Sequence, residues 1–199
     1  RSDTIGKEGL AHFLEHMFFK GTKKYPSTLS FASAIENIGG DTNAYTSSEV
    51  TCYYIKLPFN KVREGIDLLS EMIESPLYFD HDKERNVILE EIKMYNDDPQ
   101  NDIYDNMFLP TLFGNTTLKV SPTGYAESVS KISLEDIARF KDENYVSNNM
   151  LITVSGNIDF IEVEKYLENA FSFLKENSNL KKKKEEFSKV NKSVSKDRG

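Results

Sequence analysis

Two histidines and a glutamate within one helical turn constrain the fold of this chain more than any other feature. The chain has three histidines, and two of them lie in the run His12-Phe13-Leu14-Glu15-His16. Residues three and four positions apart share one face of an α-helix, so both imidazoles and the Glu15 carboxylate point the same way. This is the H-x-x-E-H spacing, the inverted form of the H-E-x-x-H metal helix. The run therefore predicts a metal site, to which the fold must bring at least one more ligand.

The missing ligand is expected on a predicted helix over residues 80–96. A catalytic zinc ion usually takes three protein ligands and leaves a fourth position for water. Glu91 shares a stripe of this helix with the apolar residues Val87 and Ile88, whereas Glu90 lies on a charged and polar stripe. A carboxylate on an apolar face needs a partner, because burying it unpaired is costly. Glu91 is therefore the predicted third ligand.

Several alternatives remain open at these positions. Glu84 lies two helical turns before Glu91. Its spacing fits two roles equally well. Glu84 could accept a hydrogen bond from a ligating histidine, or it could be an acidic residue that the helix dipole favours in the first turn. His81 has no metal pattern around it and is expected at the surface. If no metal bound, the two motif histidines would be ordinary helix residues. A structural zinc site is a further alternative, although such a site usually needs four protein ligands, often cysteines.

Helical and strand patterns are mixed along the chain without strict alternation. Apolar residues at helical spacing and runs rich in Thr, Tyr and Val locate the elements. The predicted helices cover 7–19 with Gly21 as C-cap, then 28–39, 61–74, 80–96, 102–113, 133–145 and 159–171; the predicted strands cover 41–48, 50–57 and 151–155, and 114–130 is a predicted loop. This order indicates an α+β domain with a largely antiparallel sheet packed against several helices.

Charge and composition exclude several classes of partner. The net charge of −7 argues against nucleic acid or an anionic membrane as the main partner. The lysine run at 181–184 is followed at once by glutamates and has no interleaved aromatic residues, so a solvated linker is favoured over a nucleic-acid patch. No apolar run approaches the roughly 20 residues that cross a bilayer. The single cysteine, Cys52, is consistent with a reducing compartment, either the cytoplasm or an organelle matrix.

The motif and its flanks resemble the zinc motif of the pitrilysin (insulinase) metallopeptidases, in the subgroup of the mitochondrial processing peptidase β subunit and its bacterial relatives. The resemblance covers residues 1–175 and is carried by four runs: Gly9-Leu10-Ala11-His12-Phe13-Leu14-Glu15-His16-Met17, Lys20-Gly21-Thr22, Glu84-Arg85-Asn86-Val87-Ile88-Leu89-Glu90-Glu91 and Gly39-Gly40-Asp41-Thr42-Asn43-Ala44-Tyr45-Thr46. It implies one Zn²⁺ ion held by His12, His16 and Glu91. Glu84 would then bond a ligating histidine, and Glu15 would be the general base of peptide hydrolysis.

The last of these runs resembles the edge strand on which this family lays its substrate. An extended peptide would add to that edge as a further β-strand. The resemblance therefore implies that Asn43, Ala44 and Tyr45 contact the substrate. The alternative for Asn43 is a place in a strand-entry turn, which its chemistry also suits.

The resemblance also implies how this chain relates to a larger assembly. Family domains begin with one or two strands, whereas eight residues precede the Gly9-Leu10 run here. Residues 1–175 are therefore expected to be an N-terminal-type peptidase domain truncated at its start, and 176–199 a linker toward a second homologous domain. The expected partners are a peptide substrate and that second domain or subunit, in a homodimer or heterodimer. The rival function is a non-catalytic scaffold or partner subunit, although such members usually have a degraded metal motif.

Overall fold

Helices surround one small sheet in the computed structural model of this chain, which describes residues 6–114 and 116–180. The helices are α1 (Leu10–Phe18), α2 (Thr28–Glu36), α3 (Val62–Glu74), α4 (His81–Asp97), α5 (Pro99–Ile103), α6 (Leu109–Phe113), α7 (Ala126–Val129), α8 (Leu134–Asn144) and α9 (Phe160–Ala170). The strands β1 (Asp41–Thr46) and β2 (Thr51–Lys56) form an antiparallel pair. The predicted α+β class is confirmed, with helices the larger part. Within the described residues, no helix is both long and apolar enough to cross a membrane.

Helix α1 lies at the centre of the fold. Every residue of α1 except His16 is buried, and the helix packs against β1, β2, α4 and α8. It begins directly after Gly9, which has a φ of 93°. A Cβ at that position would lie 2.5 Å from the Thr123 carbonyl oxygen, so only glycine fits there. This close approach fixes the start of the helix that carries the histidine pair.

The two strands form a hairpin whose register fixes the direction of each backbone group. The Ser47 N–H donates to the Val50 carbonyl at 2.8 Å, and Thr46 stands opposite Thr51. Because hydrogen-bonded and non-bonded pairs alternate in an antiparallel ladder, Asn43 and Tyr45 bond to β2. The backbone groups of Thr42, Ala44 and Thr46 therefore point to the outer edge of β1. No strand of the described ranges pairs with that edge.

An apolar groove of about 910 Å³ lies on the other side of β2. Its walls are β2 and the segment 149–156, and Ile66 and Leu69 of α3 also line it. The predicted strand over 151–155 is wrong, because this segment joins no ladder in the described part of the chain and Leu151 is 89% exposed. Its apolar pattern is that of a strand, but a strand forms only when a second edge is present to share hydrogen bonds.

Several predicted helix boundaries also differ from the structure, two of them for a clear local reason. Helix α1 ends at Phe18, so Gly21 is not its C-cap; Gly21 has a φ of 120° in the turn before the Thr22–Pro76 bridge. The helical run expected from 102 begins at Pro99, because the Asp98 side chain accepts from the Gln100 N–H and caps it. A π-helical turn, Tyr104–Phe108, then leads into α6.

The carboxyl-terminal elements pack on the same core as α1. Ile137 and Phe140 of α8, Val163 of α9 and Phe171 join the buried cluster around the central helix. The predicted loop over 114–130 contains α7, which contacts α4. Of the predicted linker over 176–199, residues 181–199 with their lysine run lie outside the described residues.

Candidate metal centre and edge strand

Three side-chain atoms from two helices converge at one point. The Nε2 atoms of His12 and His16 on α1 lie 3.1 Å apart. Glu91 Oε2 on α4 lies 3.8 Å from His12 Nε2 and 3.6 Å from His16 Nε2. Among the described residues this is the one group of three potential ligands that meets so closely. The structure therefore brings together the three residues predicted from helical phase, across 75 positions of sequence.

The separations fit a tetrahedral zinc ion. With Zn–N and Zn–O bonds near 2.0–2.1 Å, two ligand atoms of a tetrahedron lie about 3.3 Å apart. The three observed edges of 3.1, 3.6 and 3.8 Å bracket that value. All three atoms would present lone pairs to the same point, and such atoms repel one another unless a cation lies between them. The donor set of two imidazoles and one carboxylate is a common one for zinc in hydrolases.

Glu84 fixes the orientation of one imidazole. Its Oε1 lies 2.8 Å from Nδ1 of His16, and its Oε2 contacts Nζ of Lys20. A proton on Nδ1 satisfies the carboxylate and leaves Nε2 with its lone pair free to face the other ligands. Burial alone would raise the pKa of Glu84, but the hydrogen bonds from His16 and Lys20 outweigh it and lower that pKa. Both alternatives for Glu84 fit the structure, since Glu84 lies in the first turn of α4 and its carboxylate also bonds a motif histidine.

The buried face of α4 shares Glu84 and Ile88 with the predicted stripe but is rotated from it by about 50° around the helix axis. The buried residues of this helix are His81, Glu84, Ile88 and Ile92, whereas Val87 is 48% exposed. Glu91 lies at the border of the buried face, and Glu90 is exposed as predicted. The prediction that His81 is a surface residue is wrong. Its ring stacks on Phe13 of α1 at a centroid distance of 4.9 Å, and burial with the neighbouring Arg85 lowers its pKa.

Glu15 is buried beside the three convergent groups but is not one of them. Its Oε2 accepts a hydrogen bond from the Thr46 hydroxyl at the end of β1. Burial raises the pKa of Glu15 from its ordinary value, while Thr46 and His16 pull it down less strongly and Glu91 adds to the rise. A carboxylate with a raised pKa and one committed oxygen is suited to exchange protons with a neighbouring group.

The three residues predicted to contact substrate lie in the middle of β1. Asn43 and Tyr45 face outward, and Ala44 faces inward. Asn43 lies within the strand and not in an entry turn, and its Oδ1 accepts from the Ala44 N–H at 2.8 Å. That N–H is one of the groups at the outer edge, so the Asn43 side chain occupies the position where an added strand would bond. Tyr45 is opposite Cys52 in the ladder and is exposed.

Two residues at this centre were not assigned a role from the sequence. Lys20 follows His16 by four positions, which is the spacing of one helical turn, and it reaches the carboxylate that His16 bonds. Thr46 shares the inward face of β1 with Thr42 and Ala44, so alternation placed it toward α1. Neither pattern alone distinguishes these residues from ordinary surface or strand positions.

Comparisons with known proteins agree with this geometry. Residues 1–132 match the model of the insulinase family, peptidase family M16. The chain belongs to the insulinase family. Residues 131–198 match the model described as the M16 inactive domain, so the two insulinase-family matches together extend over nearly the whole chain.

Curated relatives of this insulinase-family chain are named as zinc proteases. An uncharacterized zinc protease of Streptomyces coelicolor is 36% identical over 173 residues, which is 86% of this chain and 37% of the relative. The mitochondrial-processing peptidase subunit beta of Blastocladiella emersonii is 33% identical over 180 residues, 89% of this chain and 38% of the relative. The chain thus spans well under half the length of these two relatives.

A solved structure shows the same fold. The crystal structure of a protease from Helicobacter pylori superposes with a TM-score of 0.83 and 26% sequence identity. The match covers 94% of this chain and 45% of the Helicobacter pylori chain. The helix-rich arrangement around the hairpin is therefore an arrangement that a protease of known structure shares.

Proposed function

We propose that this chain is the metal-binding part of a zinc-dependent endopeptidase that hydrolyses extended peptides or presequences laid along β1. The observation that carries the proposal is the convergence of His12, His16 and Glu91 at zinc-like separations, with buried Glu15 beside them. His12, His16 and Glu91 would hold one Zn²⁺ ion, and Glu84 would orient His16. The zinc protease names of the relatives support the same choice of metal.

Glu15 has the properties of the general base in this reaction. A bound zinc ion would lower the pKa of its water toward neutrality and polarise the scissile carbonyl. Glu15 accepts a proton from the attacking water and then delivers it to the leaving amine. Its burial favours this exchange, because a raised pKa makes the protonated carboxyl less costly to form.

The outer edge of β1 is the proposed substrate site. Thr42, Ala44 and Thr46 present their backbone groups there, and an extended peptide would bond to them as an added strand. Asn43 would release the Ala44 N–H and turn its own amide toward the substrate, next to the exposed Tyr45 ring. The strand ends at Thr46, which contacts Glu15, so a peptide on this edge would pass close to the base. Presequences suit such an edge, and the relative named as a processing peptidase subunit supports that class of substrate.

The whole protein is proposed to contain a second homologous domain or to pair with a homologous subunit in a homodimer or heterodimer. The match of residues 131–198 to a second family model and the greater length of the relatives support this. Residues 1–175 would then be the metal-binding domain, and 176–199 would connect it onward. The rival function, a non-catalytic scaffold or partner subunit, is less well supported, because His12, Glu15, His16 and Glu91 are all present.

The groove beside β2 is proposed to hold a further β-strand of the whole protein. The backbone groups of Tyr53 and Ile55 point away from β1 and into the groove, because their neighbours Cys52 and Tyr54 bond to β1. Amide hydrogen exchange in the whole protein tests this. Slow exchange at Tyr53 and Ile55 is expected, whereas exchange as fast as that of the Ala44 amide in the absence of substrate contradicts the proposal.

Zinc analysis and a peptide-cleavage assay test the proposed function. The purified protein is expected to contain one zinc ion and to cleave a fluorogenic peptide in a chelator-sensitive manner. Glu15→Gln should keep zinc and reduce kcat by about 100- to 10,000-fold, since it removes the proton acceptor. Glu91→Gln should lose zinc, whereas Glu90→Gln on the exposed side of α4 should not. Zinc bound at full occupancy without cleavage would favour the scaffold, and Glu15→Gln as active as the parent would remove Glu15 from the mechanism.

A further inference from the structure

We propose that Thr46 is a positioning residue that holds the Glu15 carboxylate and links it to the edge of β1; this inference rests on the proposed function. Thr46 is the last residue of β1 and faces inward. Its hydroxyl donates to Glu15 Oε2 across 31 positions of sequence. The hydrogen bond joins the helix that carries the histidines to the strand proposed to bind substrate.

The direction of each hydrogen bond in this group follows from simple chemistry. An ionised carboxylate accepts hydrogen bonds and donates none, so the single Thr46 hydroxyl proton is committed to Glu15. The Thr51 hydroxyl lies 3.2 Å from the Thr46 hydroxyl, in the cross-strand pair that ends the ladder. Thr51 must then donate to Thr46. The hydrogen bonds therefore run in one direction, with Thr51 donating to Thr46 and Thr46 donating to Glu15.

This arrangement divides the two oxygens of the base between two tasks. Oε2 is held by Thr46, and Oε1 has no hydrogen bond within the described part of the chain. Oε1 is thus available to accept a proton from an attacking water, in an orientation set by the bond at Oε2. A glutamate side chain without that bond would sample other rotamers, and small misplacements of a reacting group lower rates strongly.

Thr46 also contacts the proposed substrate with its backbone. Its N–H and C=O point to the outer edge of β1, while its side chain reaches Glu15. One residue therefore fixes both the base and the peptide that the base acts on. The register of the added strand relative to Glu15 would be set at this position.

Substitutions at Thr46 give a matched test. Thr46→Val keeps the shape of the side chain and removes the hydroxyl. It is expected to lower kcat about 10- to 100-fold with zinc content unchanged and KM changed less than threefold. Thr46→Ser restores the hydroxyl and should recover kcat to within about threefold of the parent. Ser70→Ala is the control, because the Ser70 hydroxyl is also buried and donates to a backbone carbonyl, that of Ala170, away from β1 and Glu15.

A second measurement does not depend on activity. In the metal-free protein, Thr46→Val should lower the thermal unfolding midpoint more in the parent than in a Glu15→Ala background, since only the parent loses the bond. Equal shifts in both backgrounds would refute the contact. Full kcat in Thr46→Val, or equal loss in Thr46→Val and Ser70→Ala, would refute the positioning role. A parent protein that binds zinc without cleaving peptides would refute both the proposed endopeptidase function and the catalytic part of this inference. A larger shift of the unfolding midpoint in the parent than in the Glu15→Ala background would still establish the Thr46–Glu15 contact.

Discussion

Nδ1 of His16 lies 2.8 Å from Oε1 of Glu84, on the side of the imidazole opposite to the Nε2 atom that faces His12 and Glu91. The carboxylate thus determines which nitrogen of His16 keeps its proton. It also fixes the plane of the ring, because a hydrogen bond at Nδ1 and a ligand position at Nε2 define one axis. Two glutamates two turns apart on α4 therefore act on opposite sides of the same histidine.

Glu84→Gln is predicted to weaken zinc binding by about 10- to 100-fold without removing a ligand. The amide still accepts from Nδ1, but it lacks the charge that makes the imidazole more basic. A competition titration with a chelator of known affinity measures the change. Glu90→Gln is the control, since the Glu90 side chain is 79% exposed on the same helix. Equal zinc affinities for both variants would contradict the role given to Glu84.

Lys20→Met is predicted to destabilise the protein by about 2 kcal/mol, because a hydrogen bond to a charged group is lost at a buried carboxylate. Lys20 contacts Glu84 Oε2 and would leave that oxygen without its cation. The free energy of unfolding from urea titration is the measurement. Lys23→Met at an exposed position should change it by less than about 0.5 kcal/mol. A Lys20→Met variant as stable as the parent would contradict this account.

Stability is predicted to fall below about pH 4 through Asp136. Its carboxylate accepts from Lys7 and from the Ser133 backbone and hydroxyl at the start of α8. The Lys7 ammonium and these hydrogen bonds hold the pKa of Asp136 well below its ordinary value, against the effect of burial. A carboxyl whose pKa is lower in the folded state stabilises the protein above the unfolded pKa, and this stabilisation is lost as the pH falls below it.

Asp136→Asn tests that pH dependence. At pH 7 the variant should be less stable by about 2 kcal/mol, because a cap and a charged hydrogen bond are weakened. The difference between parent and variant should shrink as the pH is lowered from 5 to 2, as followed by urea unfolding at each pH. Asp142→Asn, on the exposed side of α8, should change little at either pH. A difference that stays constant down to pH 2 would contradict the assignment.

Asn43→Ala is predicted to raise KM for a peptide substrate by about fivefold, the effect of losing one hydrogen bond of about 1 kcal/mol. The change in kcat should be smaller, since Asn43 faces outward on β1 whereas Thr46, which contacts Glu15, faces inward. Steady-state cleavage of one fluorogenic peptide measures both constants, and Asp41→Ala on the same outward face of β1 is the control. A fall in KM would instead mean that Asn43 competes with the substrate for the Ala44 N–H.

The elements that position the centre were predictable because each depends on local pattern. Helical spacing placed α1 and α4, and the phase within them brought His12, His16 and Glu91 together as expected; their role as ligands stays a prediction. The two strands were also found, although each is shorter than predicted because Ser47 and Val50 close the turn.

What the sequence did not reveal depends on contacts between distant segments. The Thr46–Glu15 bond joins a strand end to a helix, and no spacing rule relates the two positions. Segment 151–155 has the composition of a strand, but pairing requires a neighbouring edge that composition cannot supply. The error at His81 was avoidable, because His81 lies one turn before Glu84 and two before Ile88 on the buried stripe of α4.

The candidate ligands come from both α1 and α4, so metal affinity depends on how these two helices pack against each other. The two helices contact each other, with His81 of α4 stacked on Phe13 of α1, and Ile88 of α4 is fully buried in the same core without being a candidate ligand. Ion binding and helix docking would be linked by mass action, each strengthening the other. Truncating Ile88 should therefore weaken zinc binding, although Ile88 is not a ligand. Loss of zinc in a variant identifies a ligand only when the tertiary packing of that variant is shown to be intact.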